Sequence, residues 1–265
     1  MLVFAVGVVA GLINSVAGGG TLLSFPVLMW IGRDPIVANV TNTVALWPGS
    51  LASAVGFRRE LRGGGRILLL LALPSVLGSL AGAVLLLHTS SRTFAAIVPY
   101  LILFATLLFA AQGPITRRLR RRLHEPAATA VRQPARTTES SGTSNLSGMV
   151  GAVLFQFLVA LYGGYFGAGI GIIMLAALGL LGVTDILHMN GLKNAFAFCI
   201  NAVAATYFAC QGNVSWMDAL VLGVGAIVGG YGGAGVARRV GRATVRRAVV
   251  VIGLAMAASL LWRRP

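Results

Sequence analysis

Charge, and acidic charge above all, is what this sequence has least of. Asp and Glu together number 6 in 265 residues, lysine occurs once, and charged residues make up only 10% of the chain. A soluble domain carries about 25% charged residues, because it covers its surface with them. A chain this poor in charge and 57% hydrophobic turns most of its surface to lipid. Cysteine is scarce as well. Cys199 and Cys210 have no spacing that reads as a zinc site or a disulfide framework, and both read as packing residues. There is no HExxH, no P-loop, no Ser-His-Asp order and no pair of carboxylates. The acids (Asp34, Glu60, Glu125, Glu139, Asp185, Asp218) all lie in loops or at the edges of apolar runs. These absences argue against an intramembrane hydrolase and an ATP-driven pump, and no enzyme activity, metal or cofactor is expected.

What is present is apolar length. Stretches long enough to span a bilayer, roughly 17–25 residues, recur at 36–57, 67–87, 94–111, 214–237 and 245–262. The net charge of +15 sits in arginines crowded between these stretches. That is the pattern of cytoplasmic loops under the positive-inside rule. No aromatic-interleaved basic surface accompanies it, so no nucleic acid is expected as a partner.

The chain divides once. Residues 112–147 are polar, rich in Arg, Thr, Ser and Pro, and without hydrophobic period, as a flexible basic linker would be. The domain reading is a first transmembrane repeat at 1–112, a basic cytoplasmic linker at 113–146 and a second repeat at 147–265. A shift of 151 residues aligns the halves without gaps from Ser15 to Phe57. Ala17, Gly18 and Gly20 fall on Ala168, Gly169 and Gly171; Asp34 falls on Asp185, Asn39 on Asn190 and Phe57 on Phe208. The apolar run at 1–13 has a counterpart inside the chain and lacks a basic n-region, so it reads as structural rather than as a signal peptide.

Glycine clusters interrupt each half at its start. The run 2–13 makes about 18 Å of helix, and 21–31 is similar. Neither fills a hydrocarbon core of about 30 Å. Val16-Ala17-Gly18-Gly19-Gly20 breaks the helix between them, and 163–169 does the same in the second half. If each broken segment enters and returns, the halves are inverted, and sixteen of the twenty arginines share one side. A parallel arrangement would put the loop at Arg58–Arg66 opposite the loop at Arg238–Arg247 and violate the charge rule. The expected fold is therefore an all-α integral membrane protein of two inverted repeats, each a glycine-broken helical hairpin plus three transmembrane helices. Both termini are expected outside the cytoplasm.

Inverted repeats with broken helices bind their solute where the repeats meet. Helices starting at Gly20 and Gly171 aim positive dipole ends at the break. Gly18, Gly19, Thr21 and Gly169 belong to the same breaks. Asn39, Thr41 and Asn42 lie near the start of one following span, and Asn190, Lys193, Asn194 and Asn201 lie in its counterpart. Lys193 is the sole lysine. It falls inside an apolar span, where a charge costs at least roughly 2.5–3.5 kcal/mol. An anionic solute would compensate it; snorkelling to the headgroups is the plainer alternative. Asp34 and Asp185 read as helix caps. Trp30, Trp216 and Trp262 read as interfacial anchors.

Ala17-Gly18-Gly19-Gly20-Thr21, Pro26, and Ala38-Asn39-Val40-Thr41-Asn42-Thr43 with Trp47-Pro48-Gly49-Ser50 resemble the first half of the TauE/SafE sulfite exporter family, also called toluene-sulfonate uptake permeases. Gly167-Ala168-Gly169-Ile170-Gly171 and Asn190-Gly191-Leu192-Lys193-Asn194, through Asn201 to Phe208, are similar to one branch of it. Ile170 stands where the second cluster often has glycine, and the linker is unusually rich in arginine. The resemblance covers nearly the whole chain outside the linker. It implies a multi-pass permease of the bacterial inner membrane for sulfite, sulfonates or related organic anions. The combined expectation is a secondary carrier working by alternating access. An anion channel and a membrane assembly partner without transport are the alternatives. Expected partners are a small anionic solute and the lipid bilayer, with self-association left open.

Overall fold

The computed structural model describes residues 1–56, 58, 65–124, 142–180, 186–240 and 242–262. Among the described residues the chain is helical and has no strand. Ten helices follow one another: α1 (Leu2–Ala17), α2 (Thr21–Trp30), α3 (Pro35–Gly56), α4 (Gly65–His88), α5 (Ser91–His124), α6 (Gly142–Tyr165), α7 (Ile170–Leu180), α8 (Ile186–Gln211), α9 (Trp216–Val240) and α10 (Arg242–Trp262).

The breaks are narrower than the sequence implies. Helix α1 runs on past residue 13 to Ala17, and the interruption is confined to Gly18–Gly20. Gly18 closes α1 with φ 76°, its N–H returning to the Asn14 and Ile13 carbonyls. A residue with a Cβ pays roughly 1–2 kcal/mol in that left-handed conformation, which is why glycine ends the helix there. In the second half α6 continues to Tyr165, and Gly167 and Gly169 take the corresponding positive φ before α7 begins. Helices α5 and α6 also reach into the stretch read as linker, to His124 and from Gly142. Residues 125–141 and the Asp185 cap lie outside the described residues.

Close packing sets the helix directions. Gly7 and Gly11 of α1 press on Leu222 and Ala226 of α9, while Gly225 and Gly229 press back on Val8 of α1. Both helices thus carry glycines four apart at their contact and run the same way. Between spanning helices apolar burial supplies no drive, so backbone approach through such small residues does. Arg33, just after α2, pairs with Asp218 in the first turn of α9. So α2 turns back along α1 and ends where α1 and α9 begin. Asp34 caps α3 by accepting the Ile36 N–H at 2.9 Å, and it also accepts the Ser91 hydroxyl at the start of α5. The starts of α1, α3, α5 and α9 therefore share one end of the molecule, called the Arg33 end. Helix α1 ends part-way, at the break, while α3, α5 and α9 run on to the other end, with Arg58, Arg117–Arg122 and Arg238–Arg239 in or just after their last turns.

The same pairings recur between halves. Helix α1 packs on α9 and α6 on α4; α3 packs on α9 and α8 on α4; α2 lies on α3 and α7 on α8; α5 meets α7 and α10 meets α2. Exchanging α1–α5 with α6–α10 leaves each of these pairings in place. At the α4–α6 contact Gly78 and Gly82 press on Phe157 and Leu161, and Gly164 presses on Ser79.

The outside is as apolar as the inside. Leu69, Leu73, Leu158, Leu220, Val224, Val228 and Tyr231 stand exposed along α4, α6 and α9. Asn39, Thr41, Asn42, Gln156, Lys193 and Asn194 are buried. So many exposed large apolar side chains mark a surface that meets lipid rather than water. Trp30, Trp216 and Trp262 are exposed near helix ends, where amphipathic rings anchor at the headgroups. Among the described residues Ile67–His88 and Ser91–Leu108 are long and apolar enough to cross a bilayer by length and composition alone.

Candidate functional site

The two breaks meet. A Cβ on Gly18 would lie 2.8 Å from the Gly171 Cα, so only bare glycine backbone lets the first half's interruption touch the start of α7. Beside this contact lies a cavity. Its wall is formed by Asn14, Gly18 and Thr21 from α1 and α2, by Thr43, Leu46, Ser50 and Ser53 from α3, by Phe166, Gly167, Ile170 and Gly171 from the second break, and by Lys193, Asn194, Ala197 and Asn201 from α8. The residues from α3 recur at intervals of three and four, as one helix face must. Helices α2 and α7 both begin at this wall, so two positive dipole ends point toward it.

Ser50 holds the wall together. Its hydroxyl donates to the Leu46 carbonyl at 3.2 Å and accepts the Asn14 amide at 3.3 Å and the Asn201 amide at 3.5 Å. One donor and two lone pairs are all that a serine hydroxyl has. Ser50 and Asn201 come from opposite halves and are 151 residues apart, the offset at which the halves align. Trp47 and Phe198 stack with ring centroids 6.0 Å apart, and they too differ by that offset. Two pairs of equivalent residues therefore touch where α3 crosses α8.

The electrostatic character is one-sided. Lys193 is 1% exposed and supplies the only formal charge on the described wall, which contains neither Asp nor Glu. Asn194, beside it, is 3% exposed, and its Nδ2 is buried without a hydrogen-bond partner among the described residues. A buried donor left unmade costs about 1–3 kcal/mol. The Thr43, Ser50 and Ser53 hydroxyls donate to α3 carbonyls, so the chemistry suited to a small anion is one buried cation beside the Asn194 N–H.

A model of the family described as sulfite exporter TauE/SafE matches residues 3–260. The chain belongs to the TauE/SafE sulfite exporter family. Similar proteins include a "Probable membrane transporter protein" of Haemophilus influenzae, 27% identical over 262 residues covering 98% of this chain and 94% of that one. "Probable membrane transporter protein YfcA" of Escherichia coli is 26% identical, covering 98% and 89%. "Probable membrane transporter protein ORF9" of Sinorhizobium sp. is 27% identical, covering 97% and 90%. No solved structure matches.

Of the positions singled out in this TauE/SafE sequence, Gly18, Thr21, Gly171, Lys193, Asn194 and Asn201 line the cavity. The others do not. Gly19 is buried at the break, and Gly20 packs on Ala10 and the Asn14 side chain of α1. Asn39 turns its amide to the Tyr165 carbonyl at 2.8 Å, and Thr41 accepts the Ser215 N–H at 3.0 Å. Asn42 pairs with Ser24 and donates to the Thr21 hydroxyl at 3.3 Å, tying α2 to α3. Gly169 rests on Ala105, and Asn190 is buried away from the wall. The remaining wall residues, which the sequence alone does not mark, are Asn14, Thr43, Leu46, Ser50, Ser53, Phe166, Gly167, Ile170 and Ala197. Helical spacing from Thr43 would have found the α3 face.

Proposed function

We propose that this TauE/SafE protein is a secondary carrier for a small anion of the sulfite or sulfonate class, bound in the cavity between its halves and exposed to either side in turn. The observation that carries the reading is the wall's charge: one buried lysine, no acid, and a donor on Asn194 with no partner among the described residues. A charge at membrane depth is costly and marks a solute pathway by default. The relatives named as probable membrane transporters support transport, and a family described by sulfite export supports the solute class.

The two halves are read as inverted repeats. The exchangeable helix pairings and the equivalent pairs Ser50–Asn201 and Trp47–Phe198 support a pseudo-two-fold axis through the α3–α8 crossing. The arginine-bearing helix ends support a cytoplasmic side there in a bacterial inner membrane, with the Arg33 end outside.

The test is counterflow. Liposomes preloaded with unlabelled sulfite or a short sulfonate should accumulate the labelled anion transiently above equilibrium. High unitary conductance without counterflow would make the protein a channel. No movement of any small oxyanion would make it an assembly partner without transport.

A further inference from the structure

Four aromatic rings occupy the space between the cavity and the Arg33 end. Phe166 is part of the cavity wall. Its ring meets Phe25 of α2 edge-on at 5.3 Å between centroids and Phe94 of α5 at 6.3 Å. Phe94 in turn touches Phe25 at 6.5 Å and Tyr165 at 5.7 Å. Phe25, Phe94 and Phe166 are each 2% exposed or less. The cluster reaches the end of the molecule. Phe94 lies in the first turn of α5, just beyond the Ser91 hydroxyl bonded to Asp34. The Tyr165 hydroxyl lies 3.5 Å from that of Thr89, in the connection between α4 and α5.

The equivalent positions of the repeat carry no such rings. At the 151-residue offset Ala176 stands for Phe25, Ser15 for Phe166 and Asn14 for Tyr165. Small or polar residues replace three of the four rings. The repeat is duplicated, yet the rings of this cluster have no aromatic counterparts at the equivalent positions.

We propose that Phe25, Phe94 and Phe166 form an aromatic gate that closes the cavity toward the Arg33 end. This rests on the transport reading of the cavity. Edge-to-face rings pack densely and leave no polar atom for a hydrated anion, so the solute crosses only when α2, the second break and α5 part. The gate separates at ring contacts between elements, without breaking any helix.

The test is one-sided accessibility. In a Cys199→Ser, Cys210→Ser background, Thr43→Cys places a thiol on the cavity wall. A membrane-impermeant thiol reagent is then applied from each side of sealed vesicles of known orientation. Phe166→Ala and Phe25→Ala should each raise the labelling rate from the Arg33 end at least tenfold and leave the rate from the opposite end within twofold. Where an alanine variant fails to insert, Phe166→Leu or Phe25→Leu gives the same readout with a smaller rise. Unchanged labelling from the Arg33 end in every variant that inserts overturns the gate, as does an equal rise from both ends. Anion flux measured on the same vesicles keeps the two readings apart. A wild-type protein that moves no anion counts against transport, whereas unchanged labelling counts against the gate.

Discussion

Gly18→Ala isolates the contact between the two breaks, and Gly212→Ala is its control. Both glycines have φ near +77°, and both substitutions pay the left-handed penalty, roughly 1–2 kcal/mol. Their surroundings differ. A Cβ on Gly212 meets nothing within 4 Å, whereas one on Gly18 lies 2.8 Å from the Gly171 Cα and 3.2 Å from its N. Neither neighbour is a flexible side chain, so one break must move away from the other by about half an ångström. Overpacking of that kind costs a further 1–3 kcal/mol or so. The expected totals are about 2–5 kcal/mol for Gly18→Ala against about 1–2 for Gly212→Ala. Unfolding followed in detergent should rank the variants in that order. Anion flux in liposomes should fall at least tenfold for Gly18→Ala, whose site moves, and stay near wild type for Gly212→Ala. Equal stability and equal flux in the two variants would refute the claim that the breaks touch at the site.

Three further outcomes are expected. Asn194→Leu removes a buried donor that has no partner among the described residues, so thermal stability should hold or rise by as much as about 1–3 kcal/mol while anion binding, read by calorimetry, weakens. Ser50→Ala takes the acceptor from both Asn14 and Asn201; a loss of about 1–3 kcal/mol is expected by chemical denaturation, and a loss below a few tenths would show that the bridge holds nothing. A reporter fused after residue 265 should be active only if its enzyme works outside the cytoplasm, and cytoplasmic activity would sink the inverted topology.

The glycine breaks, the 151-residue offset and Lys193 were legible because each is rare against this background. A lone lysine in an apolar span and a glycine run between short helices stand out in any alignment of the chain with itself. Facing was harder to read. The helices are apolar on nearly every side, so periodicity does not say which way Asn39 or Asn190 points. Asn39 serves the Tyr165 carbonyl and Thr41 the Ser215 N–H; both are polar tasks between helices that a sequence cannot distinguish from solute binding. Ser50 and Ser53 were missed for the opposite reason, since small hydroxyl residues in a membrane helix look like packing. The aromatic cluster was invisible because its members come from α2, α5 and the second break, far apart in the chain.

The central claim, that Lys193 makes this cavity an anion site, is tested most directly by uptake of labelled sulfite and short sulfonates into liposomes. Wild type and Lys193→Met are reconstituted at equal density, with insertion checked by size-exclusion profile. The account predicts saturable uptake by wild type and uptake at the protein-free rate by Lys193→Met. Equal saturable uptake by both would contradict it.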